Sequence, residues 1–297
     1  CLLWGPAPAG APRGAILGAM RSPIQRPARL AAAVLLLASS TVLARTAGDA
    51  VPARPQDSGA SDDAALEAQE APPAAKGRVL FEGEPPLVKE LEVSAAAAEG
   101  CCPSGETVDR TNWSLLLSKD EDGALGIAHC VVTVKVEGVE VEIPEEPYEL
   151  DQKGCRFLPH VLVAPKGAKV AFLNSDKTSH NVRLRAVANE ALNQTVAAGK
   201  RLERTFDEAE AIRVACDMHP WMSAWVVVTD ATHWAVSGPD GRFALTGLPA
   251  GKHEATVWHE TLGKKTFQLV VAEDGTSEDV VVKLEKKKSK KRRRRRR

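Results

Sequence analysis

The stretch IRVACDMHPWMSAWVVV, residues 212–228, contains a short loop between two runs of strand-forming residues. The first run ends at Cys216, and the second begins at Ser223 and continues into three consecutive valines. Because β-branched residues favour strands, this segment predicts two strands joined by a tight loop.

Similar runs recur from Gly77 onward, broken at short intervals by Gly, Pro, Asn and Asp. They alternate apolar and polar side chains and are rich in Val, Thr and Phe, as in CVVTVKVEGVEVEI and DVVVKL. This pattern predicts β-sandwiches. The one helix-compatible stretch of the later half, Val187–Leu192, is too short for an α/β fold, so the sequence predicts an all-β protein.

The loop after residue 215 places three metal-binding side chains in the order Cys-x-x-His-x-x-Met: Cys216, His219 and Met222. Ligands on one short loop can converge without a long, entropically costly closure. A fourth candidate, His180, stands at the start of another predicted strand. Two histidines, one thiolate and a weak axial methionine form the ligand set of a mononuclear blue-copper site. We therefore predict one copper ion bound by these four residues.

The chemistry of these ligands argues for copper over other metals. A soft thiolate stabilises Cu(I), and imidazoles suit both oxidation states of copper. Copper would keep Cys216 deprotonated and out of disulfides. Zinc is the nearest rival, but structural zinc sites use Cys and His in sets from Cys₄ to Cys₂His₂, without methionine.

The segments DKTSHNV and CDMHPWM resemble the two ligand motifs of the cupredoxin (blue-copper) family. Asn181 also fits, since cupredoxins commonly use that position to tie the two ligand loops together. Over residues 78–284 the chain resembles bacterial exported cupredoxin-like proteins that carry a carboxypeptidase-regulatory-like domain. The resemblance implies a cupredoxin-like Greek-key sandwich, an additional N-terminal β-segment, and a small C-terminal transthyretin-like sandwich.

The same resemblance implies single-electron transfer through the solvent-facing edge of His219. A redox partner would then dock near Pro220 and Trp221. Two alternatives stay open: a copper-binding or delivery protein without redox turnover, and a structural β-module whose site stays empty. Enzymes with several coppers hold the extra ions with clustered histidines, typically His-x-His pairs. The chain has seven histidines and no His-x-His, so we expect it not to be an enzyme.

The start of the chain predicts export. Met20 opens a stretch with three arginines, followed by the apolar run Leu30–Leu37 and small residues up to Ala44. These are the parts of a secretory signal, and the run is too short to span a bilayer. We expect Met20 to be the true start and the mature protein to be periplasmic or extracellular, with no transmembrane segment.

Composition divides the chain into six parts. Residues 45–76 hold almost no large apolar residue, which predicts a disordered linker. The predicted parts are a signal peptide (1–44), that linker, an N-terminal β-segment (77–145), a copper domain (146–230), a carboxypeptidase-regulatory-like sandwich (231–285) and a polybasic tail (286–297). Strands within 130–143 could complete either the first β-segment or the copper domain.

The tail KKKSKKRRRRRR contrasts with an acidic body. Without the tail and the four arginines before residue 45, 24 basic side chains remain against 39 acidic ones. A cationic run favours an anionic envelope surface as partner, with binding that weakens with salt. It carries no aromatic side chain to stack on bases, so we expect no nucleic-acid binding.

Several other cysteines and histidines are expected to have structural roles. In an oxidising compartment, one of Cys101 and Cys102 is expected to pair with Cys155. Cys130 is expected to be a buried strand residue. His160, His253 and His259 are interpreted as packed strand residues.

Overall fold

The structure is a computed structural model that describes residues 74–94 and 107–286. The predicted signal peptide, almost all of the predicted linker and tail, Cys101 and Cys102 lie outside the described residues. Within these residues there are strands and one 3₁₀ turn, Trp113–Leu115, but no α-helix, so the all-β prediction is confirmed. The described residues include no helix long and apolar enough to span a membrane.

Eighteen strands form four sheets among the described residues. The strands are β1 (Ala74–Phe81), β2 (Leu117–Lys119), β3 (Leu125–Ile127), β4 (Val131–Val134), β5 (Tyr148–Lys153), β6 (Arg156–Leu158), β7 (Val161–Pro165), β8 (Lys169–Asn174), β9 (His180–Arg185), β10 (Leu192–Val196), β11 (Arg201–Thr205), β12 (Glu210–Ala215), β13 (Ser223–Thr229), β14 (His233–Val236), β15 (Arg242–Thr246), β16 (Gly251–His259), β17 (Gly263–Val271) and β18 (Val280–Leu284).

The middle of the chain, β5 to β13, forms a two-sheet sandwich. One sheet has the order β10-β9-β12-β13-β7, and the other has the order β11-β8-β5-β6. Alternate residues of each strand point inward, as the period-2 pattern predicted, and fill the core with side chains such as Phe157, Phe172 and Ile212. This sandwich contains all four predicted copper ligands.

The strands before residue 135 pair with the strands after residue 232. β1 lies between β15 and β18 and also pairs with β3, while β4 lies between β14 and β16. The first β-segment and the C-terminal segment thus share two sheets and one core. The predicted boundaries stay predictions, but β4, from the stretch 130–143, joins the sheets of this second sandwich.

The Asp240-Gly241 turn packs closely against β1 in this second sandwich. Gly241 has a φ of 80°, and a Cβ there would lie 2.3 Å from the carbonyl oxygen of Val79. A side chain at this position would therefore push the turn away from β1.

A small apolar layer joins the two sandwiches. Val131 from the second sandwich packs with Val161, Val163 and Val227 from the first. Tryptophans from both sides also contribute, and the Trp225 and Trp258 rings meet edge to face with centroids 5.3 Å apart. The junction is therefore a packed surface rather than a solvated linker.

Candidate metal centre

The predicted ligand loop, residues 216–222, connects β12 and β13. These two strands stay paired up to the residues that flank the loop. Ala215 in β12 is paired with Ser223 in β13. Inside the loop, the Cys216 N–H donates to the carbonyl of Met222 at 3.3 Å, and the Met222 N–H donates to the carbonyl of His219 at 2.9 Å. These bonds fix the backbone that carries three of the candidate ligands.

The fourth candidate reaches the same end of the sheet from the neighbouring strand. His180 is the first residue of β9, which runs antiparallel to β12 with Arg183 opposite Ala215. Because antiparallel neighbours place the start of one strand beside the end of the next, His180 lies next to the ligand loop.

Three of the four candidate side chains meet at one buried point. The Nδ1 atoms of His180 and His219 are 2.9 Å apart, and the Cys216 Sγ lies 3.7 Å from the His219 Nδ1. The two imidazole rings are edge to face, with centroids 4.7 Å apart. Exposed fractions are 0% for His180, 2% for Cys216 and 7% for His219. Met222 is fully buried in the surrounding core.

A carboxylate that the sequence analysis missed holds His180 in place. The Asp176 Oδ2 lies 2.8 Å from the His180 Nε2. Asp176 in turn accepts hydrogen bonds from the backbone N–H groups of Gly154 and Cys155, at 2.6 and 2.9 Å. Metal-binding histidines commonly donate their second N–H to such a carboxylate, which directs the other nitrogen at the metal. The available signal was an acidic residue four positions before His180.

Asn181 links the two ligand loops, as the resemblance implies. Its Oδ1 accepts hydrogen bonds from the backbone N–H groups of Asp217 at 2.7 Å and Met218 at 3.4 Å. The same oxygen lies 3.3 Å from the Cys216 Sγ. One amide group therefore fixes the backbone next to the thiol.

Hydrogen bonds favour the ionised form of the thiol. Burial alone would raise the pKa of Cys216, but hydrogen bonds from His180 and from the backbone of Asn181, His219 and Met218 lower it. Burial likewise disfavours a charged His180, yet bonding to Asp176 and Cys216 raises its pKa to about 9. Burial and the nearby charge of His180 lower the pKa of His219. A thiolate beside imidazoles is a suitable donor set for a soft or borderline metal ion.

Two cysteines approach this point, and only one can supply a thiolate. Donor atoms of Cys155, His180 and His219 lie within 4.8 Å of one another. Cys155, however, is disulfide-bonded, as predicted for that residue, and its partner lies outside the described residues. Cys216 is a free cysteine, so it is the sulfur that fits a copper site here.

The exposed side of the ligand loop carries two apolar residues, Met218 and Pro220. Met218 is 45% exposed and Pro220 is exposed, whereas Trp221 is only 7% exposed. The Trp221 ring packs on the His219 ring with centroids 5.3 Å apart, and its Nε1 donates to the carbonyl of Cys155. Trp221 therefore supports the site from inside, and the exposed apolar residues of the loop are Met218 and Pro220, next to the exposed Asp217.

Solved structures that resemble part of the chain include a cupredoxin, an amicyanin and a copper-containing nitrite reductase. A purple cupredoxin from Nitrosopumilus maritimus is 23% identical, with 28% of this chain and 99% of that chain covered at a TM-score of 0.25. A mutant of amicyanin in the Cu(I) form is 23% identical, with 33% and 98% covered at a TM-score of 0.27. A Cu-containing nitrite reductase from Thermus scotoductus SA-01 is 23% identical, with 32% and 25% covered at a TM-score of 0.28.

No protein-family model matches the chain, and no curated protein matches it. At these identities and TM-scores, the structural likeness assigns neither a ligand nor an activity to this chain. The residues themselves form a buried Cys, His, His group on a β-scaffold, which fits a copper-binding, cupredoxin-like protein.

Proposed function

We propose that this chain is an exported type 1 (blue) copper protein that carries out single-electron transfer. The observation that supports it is the free, buried Cys216 thiol lying beside the paired Nδ1 atoms of His180 and His219. Met222 would complete the ligand set as the weak axial ligand. Bound copper would supply the one-electron chemistry by alternating between Cu(II) and Cu(I).

The role of the protein in this function is to fix the positions of the metal-binding side chains. Asp176 fixes the ring of His180, and Asn181 fixes the backbone that directly follows the thiol. Both residues are themselves held by backbone hydrogen bonds of the sandwich. Fixed donors reduce the rearrangement between oxidation states, which favours fast electron transfer over copper release.

Electrons would enter and leave at the rim next to His219. Met218 and Pro220 form an exposed apolar edge there, suited to close contact with a redox partner. Glutamate in place of Met218 should slow electron self-exchange between protein copies several-fold through charge repulsion, without changing the copper spectrum. Val187→Glu is the matched control, since Val187 is 93% exposed and follows the opposite end of β9.

Voltammetry of the copper-loaded full chain tests the proposal. We expect a reversible one-electron wave that is absent from Cys216→Ser. An irreversible wave, together with ready loss of Cu(I) to a competing chelator, would contradict electron transfer and favour copper delivery.

A further inference from the structure

A second group of histidines, one of them partly and two of them fully buried, lies where the two sandwiches meet. His129 precedes β4, His160 precedes β7, and His259 is the last residue of β16. His160 is 4% exposed and His259 is 1% exposed. Each of the three rings has one buried nitrogen without a hydrogen-bond partner among the described residues: Nδ1 of His129, Nδ1 of His160 and Nε2 of His259. Three such atoms in one region require an explanation, because a buried polar atom without a partner is costly.

The partners of the other ring nitrogens indicate where the protons are. The His160 Nε2 lies 2.5 Å from the Glu260 Oε1, so this nitrogen carries the proton, and Nδ1 offers a lone pair when the ring is neutral. His129 is hydrogen-bonded to the backbone of Trp113 through its other nitrogen, which leaves its Nδ1 lone pair free as well. Both rings thus present the unprotonated nitrogen that a metal ion requires.

The spacing of these two rings matches that of a metal-binding pair. The His129 and His160 centroids are 4.9 Å apart, against 4.7 Å for His180 and His219. Two imidazoles that bind one tetrahedral ion with metal–nitrogen distances of about 2.0–2.1 Å have centroids about 5 Å apart. The Glu260–His160 pair also repeats the arrangement of Asp176 and His180.

The backbone at His129 adds an independent observation. His129 has a φ of 62°, in the left-handed region that residues with a Cβ seldom adopt. Such conformations persist where the surrounding structure requires them and concentrate at functional sites. Here the conformation accompanies the approach of the His129 ring to His160.

We propose that His129 and His160 bind a divalent transition metal of the imidazole-preferring class, Zn(II) or Cu(II), through their Nδ1 atoms. Glu260 orients His160 as a positioning residue and offsets part of the metal charge. The Thr261 N–H donates to the His259 Nδ1 at 3.1 Å, which leaves the proton of His259 on Nε2. His259 is therefore not a ligand in this site but a donor to a non-protein ligand, such as water, at an open coordination position.

The charges around the cluster are compatible with a cation. Glu260 is buried beside His160, with its side chain 13% exposed. The Arg156 guanidinium stacks on Trp113, 3.9 Å from the ring centroid, and donates to the carbonyls of Asp109 and Thr111. The Trp113 ring lies between Arg156 and His160. The Trp113 and His160 rings are edge to face, with centroids 5.7 Å apart.

Metal stoichiometry of the full chain tests the proposal independently of electron transfer. When the metal-free protein is titrated with Cu(II), we expect it to bind two ions. One ion should give a thiolate-to-copper absorption band, and the other should give an ordinary, non-blue EPR signal. His129→Gln and His160→Gln should each lose the second ion and keep the first. Cys216→Ser should lose the thiolate band and still bind one Cu(II) or Zn(II). His253→Gln is the matched control and should leave both ions in place, since the His253 ring bonds to the carbonyl of Pro249 and, among the described residues, to no group of either site.

The retained thiolate band shows that the His129 and His160 variants are folded. If these variants do not fold, Glu260→Gln provides the test, because loss of an orienting carboxylate should weaken metal binding about 10- to 100-fold at the second site alone. A wild-type stoichiometry of one ion would overturn the proposal, since the imidazoles would then hold only water. A second ion unaffected by His129→Gln, His160→Gln and Glu260→Gln would also overturn it.

Discussion

The molecule contains two histidine pairs that look alike in geometry and differ in how the chain builds them. At the candidate copper centre, His180 and His219 have centroids 4.7 Å apart, and Asp176 holds one ring. At the sandwich junction, His129 and His160 have centroids 4.9 Å apart, and Glu260 holds one ring. The Cys216 Sγ lies 3.7 Å from the His219 Nδ1, whereas the free Cys130, which follows His129 in the chain, is buried in the core of the second sandwich. Both sites have an imidazole pair, and the Cys216 thiol beside the first pair is the group that would specify the proposed redox copper chemistry.

The two sites also differ in how they are supported. The first lies within one sandwich and is fixed by the Cys155 backbone, Asp176 and Asn181. The second combines segments from both sandwiches, since His160 precedes β7 and the other two histidines adjoin β4 and β16. Substitutions in the support of one site should therefore leave the other intact.

The largest expected effect comes from removing the Cys155 disulfide. Cys155→Ser should lower the free energy of unfolding by about 2–5 kcal/mol, as is typical for a native disulfide. It should also weaken copper binding, because the Cys155 N–H holds Asp176 and its carbonyl accepts from Trp221. Denaturant unfolding and copper titration would measure the two effects. Cys130→Ala, which changes a buried free cysteine, is the control, and equal losses in both variants would contradict this role.

The orienting carboxylates provide the sharpest test of the comparison. Asp176→Asn should lower copper affinity at the first site about 10- to 100-fold, because the charge that holds the His180 N–H is removed. The second site should be unaffected. Competition with a chelator of known affinity would measure each site separately. A loss of affinity at both sites would show that the two clusters are coupled rather than independent.

The smallest expected effect concerns the tie between the ligand loops. Asn181→Ala removes the acceptor of two backbone N–H groups and should cost about 1–3 kcal/mol of stability. We expect the thiolate band to persist with a shifted maximum, since the sulfur loses a neighbouring amide. Asn193→Ala, which removes the side chain that contacts Asn181 from β10, is the control. An unchanged stability and spectrum in Asn181→Ala would show that the tie is dispensable.

Much of the first site was predictable because its signals are local. Cys216, His219 and Met222 share one loop, and the alternating runs on either side indicate strands, so ligand types and scaffold are visible in one segment. His180 was found only because it begins a separate predicted strand. Asp176 was missed, since an acidic residue before a strand is common and only the fold shows that it faces the histidine ring.

The second site and the domain pairing were not predictable for the same physical reason. Strand pairing over long sequence distances joins β1 with β15 and β4 with β16, and no local pattern encodes those partners. His129, His160 and His259 come together through that pairing and do not form a His-x-His motif. Taken one at a time, each is an ordinary histidine in or beside a strand. The absence of His-x-His pairs therefore does not bear on histidines that distant strands bring together.

The most direct test of the central claim is the visible spectrum of the full chain after addition of Cu(II), recorded beside Cys216→Ser and Cys130→Ala. We expect an intense thiolate-to-copper band that disappears in Cys216→Ser and persists in Cys130→Ala. A colourless wild-type protein, or a band that survives in Cys216→Ser, would contradict the claim.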